Sequence, residues 1–161
     1  MAIRVGVLTV SDLASQGRRA DDSGDAVAAW VAGRGFELVV RSVVPDETDR
    51  IAAKLARWSD SGEVDLVLTT GGTGLGVRDV TPEATLVVVD RSAPGIAEAL
   101  RAAAAPKFPR AWLSRGAAGT RGQTLIVNLP GSTGGVKDGL AVLADLVDHA
   151  VALVRGDPVD H

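Results

Sequence analysis

A glycine-rich segment interspersed with threonines is the first feature of the sequence with the residue types to bind a ligand. It reads Thr69-Thr-Gly-Gly-Thr-Gly74, and four of the six residues from 71 to 76 are glycine. Glycine lets the backbone approach a ligand closely, and successive backbone N–H groups form a concave site for an anion such as phosphate. A tight turn with positive φ is the structural alternative, but one glycine would satisfy it. We therefore predict ligand contacts from Thr69, Thr70, Gly71, Gly72, Thr73 and Gly74.

An aspartate closely follows this segment, in Arg78-Asp-Val-Thr-Pro-Glu83. Thr81 and Pro82 are typical of the N-cap and first position of a helix, whereas Asp79 lies ahead of that start. A carboxylate beside a bound phosphate repels it unless a cation lies between them, so Asp79 points to a bridging Mg²⁺. Asp46, which leaves a neighbouring predicted strand, is a second candidate oxygen ligand. Its alternative role is to cap the helix predicted after it.

Further polar residues lie in predicted turns. The pair Gly131-Ser132 opens a long predicted helix, whose N-terminus can bind an anion, although its serine is equally suited to cap that helix. Ser114-Arg115 and Arg121 lie in an irregular segment, where they either contact the phosphates of a second ligand or are solvated. Ser11 directly follows the first predicted strand.

Residues that several other chemistries need are missing. No Gly-Lys-Ser/Thr follows the glycines, as a P-loop requires, and Val77 stands where a dinucleotide fingerprint needs its third glycine. There is no cysteine, and the two histidines are His149 in the last predicted helix and His161 in the predicted tail. A zinc site and a Ser-His nucleophile therefore lack parts. Catalysis by positioning and metal-assisted charge stabilisation remains, which suits phosphoryl or nucleotidyl transfer.

Apolar, β-branched runs and the helical segments between them must position these residues. The predicted strands cover Ile3–Val10, Phe36–Val44, Val64–Leu68 and Thr124–Leu129. The predicted helices are a segment from Ser23 to Arg34 with Asp22 as its N-cap, one with an apolar stripe of Ile51, Leu55 and Trp58, a short one from Thr81, one from Ser92 to about Ala105, and one long helix that contains Val136 and Val154. Residues 106–122 are predicted to be irregular.

Strands that alternate with helices predict an α/β fold with a doubly wound, mostly parallel sheet. In such sheets ligands bind beyond the carboxyl ends of the strands. Ser11, Asp46, residues 69–76 and residues 130–135 all leave those ends. The topology therefore predicts that they form one site.

Length and charge restrict the class of protein. The 161 residues suit one domain, for which we predict residues 1–155, with residues 156–161 as a tail. A net charge of −3 argues against a nucleic-acid partner. The apolar run at residues 1–10 is too short for a signal peptide or a membrane span, and Asp145 and Asp148 interrupt the longest one. With no cysteine either, the expected location is cytoplasmic.

Several separate motifs occur in an order that resembles the Mog/MoaB proteins. These are the molybdopterin adenylyltransferases, related to the matching domains of plant and animal cofactor-synthesis proteins such as gephyrin. The resemblance covers about residues 3–154 and is carried by Asp21-Asp-Ser-Gly24, Pro45-Asp46, Thr69–Gly74, Arg78-Asp-Val-Thr-Pro82, Pro94-Gly-Ile-Ala-Glu98, Ser114-Arg115, Gly119-Thr-Arg-Gly122 and Leu129-Pro-Gly-Ser132.

The resemblance implies a three-layer α/β/α sandwich with a mostly parallel sheet, assembled as a homotrimer. It implies that AMP is transferred from Mg-ATP to the terminal phosphate of molybdopterin, with Asp46 and Asp79 holding Mg²⁺ and assisting transfer. Thr69–Gly74 and Gly131-Ser132 would then hold the nucleotide and pterin phosphates, and Ser114-Arg115 would lie beside the pterin. A molybdate-inserting enzyme is the further partner implied. The alternative is a member that binds or scaffolds molybdopterin without catalysis.

Overall fold

The computed structural model describes residues 1–160 and shows a six-stranded sheet within them. Its strands are β1 (Arg4–Val10), β2 (Glu37–Val44), β3 (Leu66–Thr70), β4 (Arg91–Ser92), β5 (Ala118–Arg121) and β6 (Thr124–Leu129). The order across the sheet is β2-β1-β3-β6-β5-β4. Strands β2, β1, β3 and β6 are parallel, whereas β5 is antiparallel to both β6 and β4. The prediction of a mostly parallel sheet is confirmed.

Helices cover both faces of the sheet. The described residues form α1 (Asp12–Ser15), α2 (Asp22–Gly33), α3 (Thr48–Asp60), α4 (Thr81–Val88), α5 (Pro94–Ala104), α6 (Thr133–Ala144) and α7 (Val147–Arg155), with a 3₁₀ turn at Pro109–Leu113. Because side chains alternate between the faces of a strand, neighbouring strand residues enter different cores. Val7 packs with α2, α6 and α7, while Leu8 packs with α3 and α4. The result is the predicted three-layer α/β/α sandwich.

The predicted apolar stripe on α3 is confirmed, since Ile51, Leu55 and Trp58 are all buried in the second core. By contrast, the prediction of a single long helix at the carboxyl end of the chain is wrong. That segment forms two helices, α6 and α7, separated at Asp145 and Leu146, whose N–H groups bond three residues back and so tighten the chain into a turn. Apolar residues continue on both sides of the turn, which hid the break.

Several boundaries also differ from prediction. Strand β3 extends to Thr70, because threonine is β-branched and the pairing with β1 and β6 continues to that residue. Asp21, not Asp22, caps α2, since its carboxylate accepts from the Gly24 N–H. Thr81 is inside α4 rather than its cap. The short elements α1, β4 and β5 were missed because so few residues show no periodicity, and residues 106–122 are accordingly less irregular than predicted.

The parallel strands bring four chain segments to one edge of the sheet. The segments that follow β1, β2, β3 and β6 begin at Ser11, Pro45, Gly71 and Pro130. At the opposite edge, the Asp65 carboxylate at the start of β3 pairs with Arg4 and Arg155. Within residues 1–160 no helix is both long and apolar enough to cross a membrane.

Candidate functional site

The segment after β3 turns so sharply that two of its glycines are required by the backbone. Gly71 and Gly72 have φ values of 98° and 69°. A Cβ atom on Gly71 would lie 2.2 Å from the Val10 carbonyl oxygen, and one on Gly72 would lie 2.3 Å from Thr81 Oγ1. The turn therefore accounts for two glycines, not one as the sequence suggested. Gly74 has ordinary φ, but a Cβ there would lie 2.9 Å from Asp79 Oδ2.

Thr69 and Thr70 lie behind this turn, where both are fully buried. Thr70 Oγ1 donates to the Pro130 carbonyl oxygen at 2.7 Å, and Thr69 Oγ1 accepts from Asn128 Nδ2 at 3.0 Å. Neither residue lines either of the two cavities beside the turn. Their hydroxyl groups tie β3 to β6 instead of facing a ligand, so we assign them a supporting role in place of the predicted contacts.

Two cavities meet at the glycine-rich turn. The larger, of about 760 Å³, extends towards α5 and α6, and the smaller, of about 440 Å³, extends towards α1 and α2. Both are lined by Gly72, Asp79, Gly131 and Ser132. Two ligands, one in each cavity, would therefore approach each other at this shared wall.

Most other predicted residues lie at these cavities. Thr73, Gly74 and Ser114 line the larger one, and the Ser114 hydroxyl donates to Thr73 Oγ1 at 3.4 Å. Ser11 lines the smaller one and also caps α1. Ser132 caps α6 by accepting from the Gly135 N–H at 3.1 Å. Each of the two serines therefore caps a helix and also lines a cavity.

The two arginines of the predicted set lie elsewhere. Arg115 lines neither cavity; its guanidinium donates to the carbonyl oxygens of Gly74 and Asp79 and to the Glu83 carboxylate. Arg121 precedes β6 at the other edge of the sheet, where it pairs with Asp60. Both side chains are occupied by protein acceptors, so the structure shows neither of them directed at a ligand.

Asp46 is held by Asp12 rather than acting as a helix cap. The N–H of Asp12 donates to Asp46 Oδ2 at 2.8 Å, and the N–H of Asp46 donates to Asp12 Oδ1 at 3.0 Å. The N-cap of α3 is Glu47. Burial, and secondarily the charges of Asp12 and Asp79, raises the pKa of Asp46 despite the hydrogen bond from Asp12. Arg78, by contrast, lowers the pKa of Asp12 through a bidentate contact.

Asp79, like Asp46, lines the smaller cavity. Its Oδ2 accepts from the Gly76 N–H at 2.9 Å. In the described part of the chain, Asp46 Oδ1 and Asp79 Oδ1 carry no hydrogen bond, so each is available to a cation. Residues 1–160 contain no cluster of three or more acidic, histidine or cysteine side chains suited to a metal. Because Mg²⁺ commonly takes one or two carboxylates together with substrate phosphates, two free carboxylate oxygens fit it.

Asn128 and Thr9 are among the cavity-lining residues that were missed from the sequence. Asn128, in the largely apolar strand β6, lines the larger cavity and joins β6 to Thr69 and Thr85. Thr9 lines the smaller cavity and is 3% exposed, yet its hydroxyl has no partner among residues 1–160. A polar residue at a buried strand position was the available signal for both.

This fold and site define an α/β protein that binds ligands at the carboxyl edge of a parallel sheet, beside a glycine-rich turn. Residues 6–149 match the family described as "Probable molybdopterin binding domain". The chain therefore belongs to the Mog/MoaB family of molybdenum cofactor biosynthesis proteins.

Relatives agree with this assignment. The chain is 38% identical to the molybdopterin adenylyltransferase of Helicobacter pylori, covering 96% of this chain and 89% of that protein. It is 40% identical to the molybdenum cofactor synthesis protein cinnamon of Drosophila melanogaster, covering 97% of this chain but spanning only 26% of that protein. The molybdopterin biosynthesis enzyme MoaB of Thermus thermophilus has a similar structure, with a TM-score of 0.91 and 47% identity over 98% of this chain and 99% of that one.

Proposed function

We propose that this protein transfers AMP from ATP to the terminal phosphate of molybdopterin, in a Mg²⁺-dependent reaction. The observation that carries the proposal is the pair of cavities that share Gly72, Asp79, Gly131 and Ser132. A reaction between two bound substrates needs adjoining sites, because holding the reacting groups together supplies much of the rate. The adenylyltransferase names of relatives that match most of this chain support the choice of substrates.

The reaction balances without a protein nucleophile. An oxygen of the molybdopterin phosphate attacks the α-phosphorus of ATP, and the bond from that phosphorus to the oxygen bridging the α- and β-phosphates breaks. The electron pair leaves with pyrophosphate, and the product is adenylylated molybdopterin. What the protein supplies is positioning and charge stabilisation at the transferred group.

The shared wall provides this positioning. Gly72 exposes backbone beside both cavities, and Ser132 begins α6 at the same point. The positive end of a helix favours a phosphate there. Asp46 and Asp79 would hold Mg²⁺ through their free oxygens, and a bound Mg²⁺ would offset the negative charge of the reacting phosphates.

The alternative is a protein that binds molybdopterin without turnover. The relatives include proteins named molybdopterin adenylyltransferase and proteins named MoaB, so membership of the family permits either role. The retention of Asp46 and Asp79 supports the enzyme. The homotrimer and the contact with a molybdate-inserting enzyme remain predictions from the family resemblance.

The deciding experiment is incubation of the purified protein with Mg-ATP and molybdopterin. Mass spectrometry should detect adenylylated molybdopterin, with one pyrophosphate released for each adduct. Asp79→Asn is expected to lose turnover while it still binds molybdopterin, because the carboxylate acts on charge in the transition state. Binding of molybdopterin without adduct, under conditions in which a known adenylyltransferase works, would favour the non-catalytic alternative.

A further inference from the structure

We infer that Asp12 is a positioning residue that holds the Asp46 carboxylate with one oxygen directed to the cavity. The inference rests on the proposed function for its kinetic consequence, although the contacts that carry it stand by themselves. Asp12 lies directly after Ser11 at the carboxyl end of β1, and it lines neither cavity itself. Its effect on catalysis would therefore pass through Asp46.

The two aspartates exchange backbone-to-carboxylate hydrogen bonds. Each N–H donates to the other's carboxylate, at 2.8 Å and 3.0 Å. This pairing fixes the backbone of the turn after β2 as well as the Asp46 side chain. It engages Asp46 Oδ2 and leaves Oδ1 near the glycine-rich turn, where a Cβ on Gly72 would lie 3.1 Å from it.

Arg78 prevents Asp12 from rotating out of this arrangement. Its Nε donates to Asp12 Oδ2 at 3.0 Å and its Nη2 donates to Oδ1 at 2.9 Å. Planar, two-point contacts of this kind fix the orientation of a carboxylate better than a single hydrogen bond does. Arg78 immediately precedes Asp79, so this ion pair, together with the hydrogen bonds between Asp12 and Asp46, links the segments that carry the two candidate Mg²⁺ ligands.

A merely structural role predicts something different. Asp12 begins α1, so its loss can disturb that helix and lower stability without altering the chemistry. A positioning role instead predicts a lower kcat at a nearly unchanged KM for ATP. It also predicts that the effect vanishes when Asp46 has already been neutralised.

The test is a double-mutant cycle with Asp12→Ala, Asp46→Asn and their combination. Asp12→Ala keeps the backbone N–H that donates to Asp46 Oδ2 but removes the acceptor that fixes the Asp46 backbone. The carboxylate then moves with its backbone, and kcat should fall about 10- to 100-fold, since small misplacements of catalytic groups have effects of that size. In the Asp46→Asn background the same substitution should add less than about twofold. Asp12→Asn, whose amide oxygen still accepts from Asp46, should recover part of the rate.

Asp25→Ala is the matched control, because Asp25 is also paired with an arginine, Arg41, but lines neither cavity. Wild-type kcat in Asp12→Ala, or an equal loss of kcat in both Asp46 backgrounds, would overturn the inference. If the wild type forms no adduct, the proposed function fails separately. In that case the positioning role is tested by the affinity for Mn²⁺ in the presence of ATP, measured by electron paramagnetic resonance. Asp12→Ala and Asp46→Asn should lower this affinity alike. An unchanged affinity in Asp12→Ala would overturn the positioning role.

Discussion

The guanidinium group of Arg115 donates a 2.7 Å hydrogen bond to the backbone carbonyl oxygen of Asp79. The same group donates to the Gly74 carbonyl oxygen at 2.8 Å and forms a two-oxygen contact with Glu83. Arg115 therefore holds both ends of the segment from Gly74 to Asp79 from behind. The family resemblance implied a place beside the pterin, whereas the structure shows a brace for the segment that lies between the two cavities.

Arg115→Lys is expected to lower turnover without unfolding the protein. One ammonium group cannot reach all the acceptors that the planar guanidinium serves. The segment that carries Asp79 then loses its fixed position, and kcat should fall by roughly 10- to 100-fold. Steady-state adduct formation together with the thermal unfolding temperature measures both effects.

Arg121→Lys is the control for that substitution. Arg121 has a similar bonding pattern, with a two-oxygen contact to Asp60 and one carbonyl acceptor, that of Val88, but it lies at the opposite edge of the sheet. It should show a comparable change in unfolding temperature and unchanged kcat. Equal losses of kcat in the two variants would mean that Arg115 does not act on the site.

Thr9→Val is expected to stabilise the fold and weaken binding of one substrate. Valine fills the space of threonine and removes the buried, unpaired hydroxyl, so stability should rise by about 1 kcal/mol. Because Thr9 also lines the smaller cavity, KM for the substrate bound there should rise several-fold. Denaturant unfolding and substrate titrations measure the two changes.

Thr124→Val is the comparison variant, and we expect it to lower the stability of the fold instead of raising it. Thr124 is equally buried, but its hydroxyl donates to the Val64 carbonyl oxygen at 2.7 Å. Replacing it leaves that oxygen without its partner and should destabilise the protein by about 1 kcal/mol. Similar destabilisation in Thr9→Val would show that the Thr9 hydroxyl is paired, for instance by water, in solution.

Asp46→Asn is expected to raise stability at neutral pH. Burial is the largest cause that raises the pKa of Asp46, so the folded protein binds a proton there more tightly than the unfolded chain does. The ionised carboxylate therefore lowers stability at pH values above its folded pKa, and this penalty is absent below the unfolded pKa of about 4. The gain should stay under about 1 kcal/mol because the group is partly solvated.

Urea unfolding at two pH values measures that difference. At neutral pH the variant should be the more stable protein, and at acidic pH, where Asp46 is protonated in both states, the two should converge. A variant that is less stable at neutral pH would mean that the charge of Asp46 contributes favourably to folding, contrary to the effect expected from its burial.

The architecture was predictable because its signals are local. Strands β1 and β6 are buried runs of mostly apolar residues, and the apolar stripe on α3 has helical spacing. The break between α6 and α7 was not predictable, since both helices contribute to one core and the apolar spacing continues through the turn. Elements of two to four residues, such as β4, are fixed by their neighbours in the sheet rather than by their own sequence.

The position of the site was predictable for a topological reason. Parallel strands bring the segments after Val10, Val44, Thr70 and Leu129 to one edge, whatever their individual side chains. The contacts of those side chains depend on partners distant in the chain. No spacing rule pairs Asp12 with an aspartate 34 residues away, or directs Arg115 to a turn 41 residues earlier.

Asp65→Asn is expected to destabilise the protein strongly and to leave the site intact. The Asp65 side chain is buried at the amino edge of the sheet, between Arg4 and Arg155. Burial alone would raise the pKa of Asp65, but hydrogen bonds from the two arginines outweigh it and hold the pKa well below its usual range. Removing the charge weakens the hydrogen bonds from two partly exposed arginines, which costs about 1.5–3 kcal/mol.

The loss of stability in Asp65→Asn should depend on pH. Because the folded pKa of Asp65 is depressed, its contribution is complete above the unfolded pKa of about 4 and is lost as the pH falls towards the folded value. The stability gap between wild type and Asp65→Asn should therefore be largest near neutral pH and narrow in acid, as guanidinium unfolding at several pH values would show. Adduct formation by the folded variant should match the wild type, since Asp65 lies at the edge opposite the two cavities. A constant gap at all pH values would mean that lost packing, not lost charge, destabilises the variant.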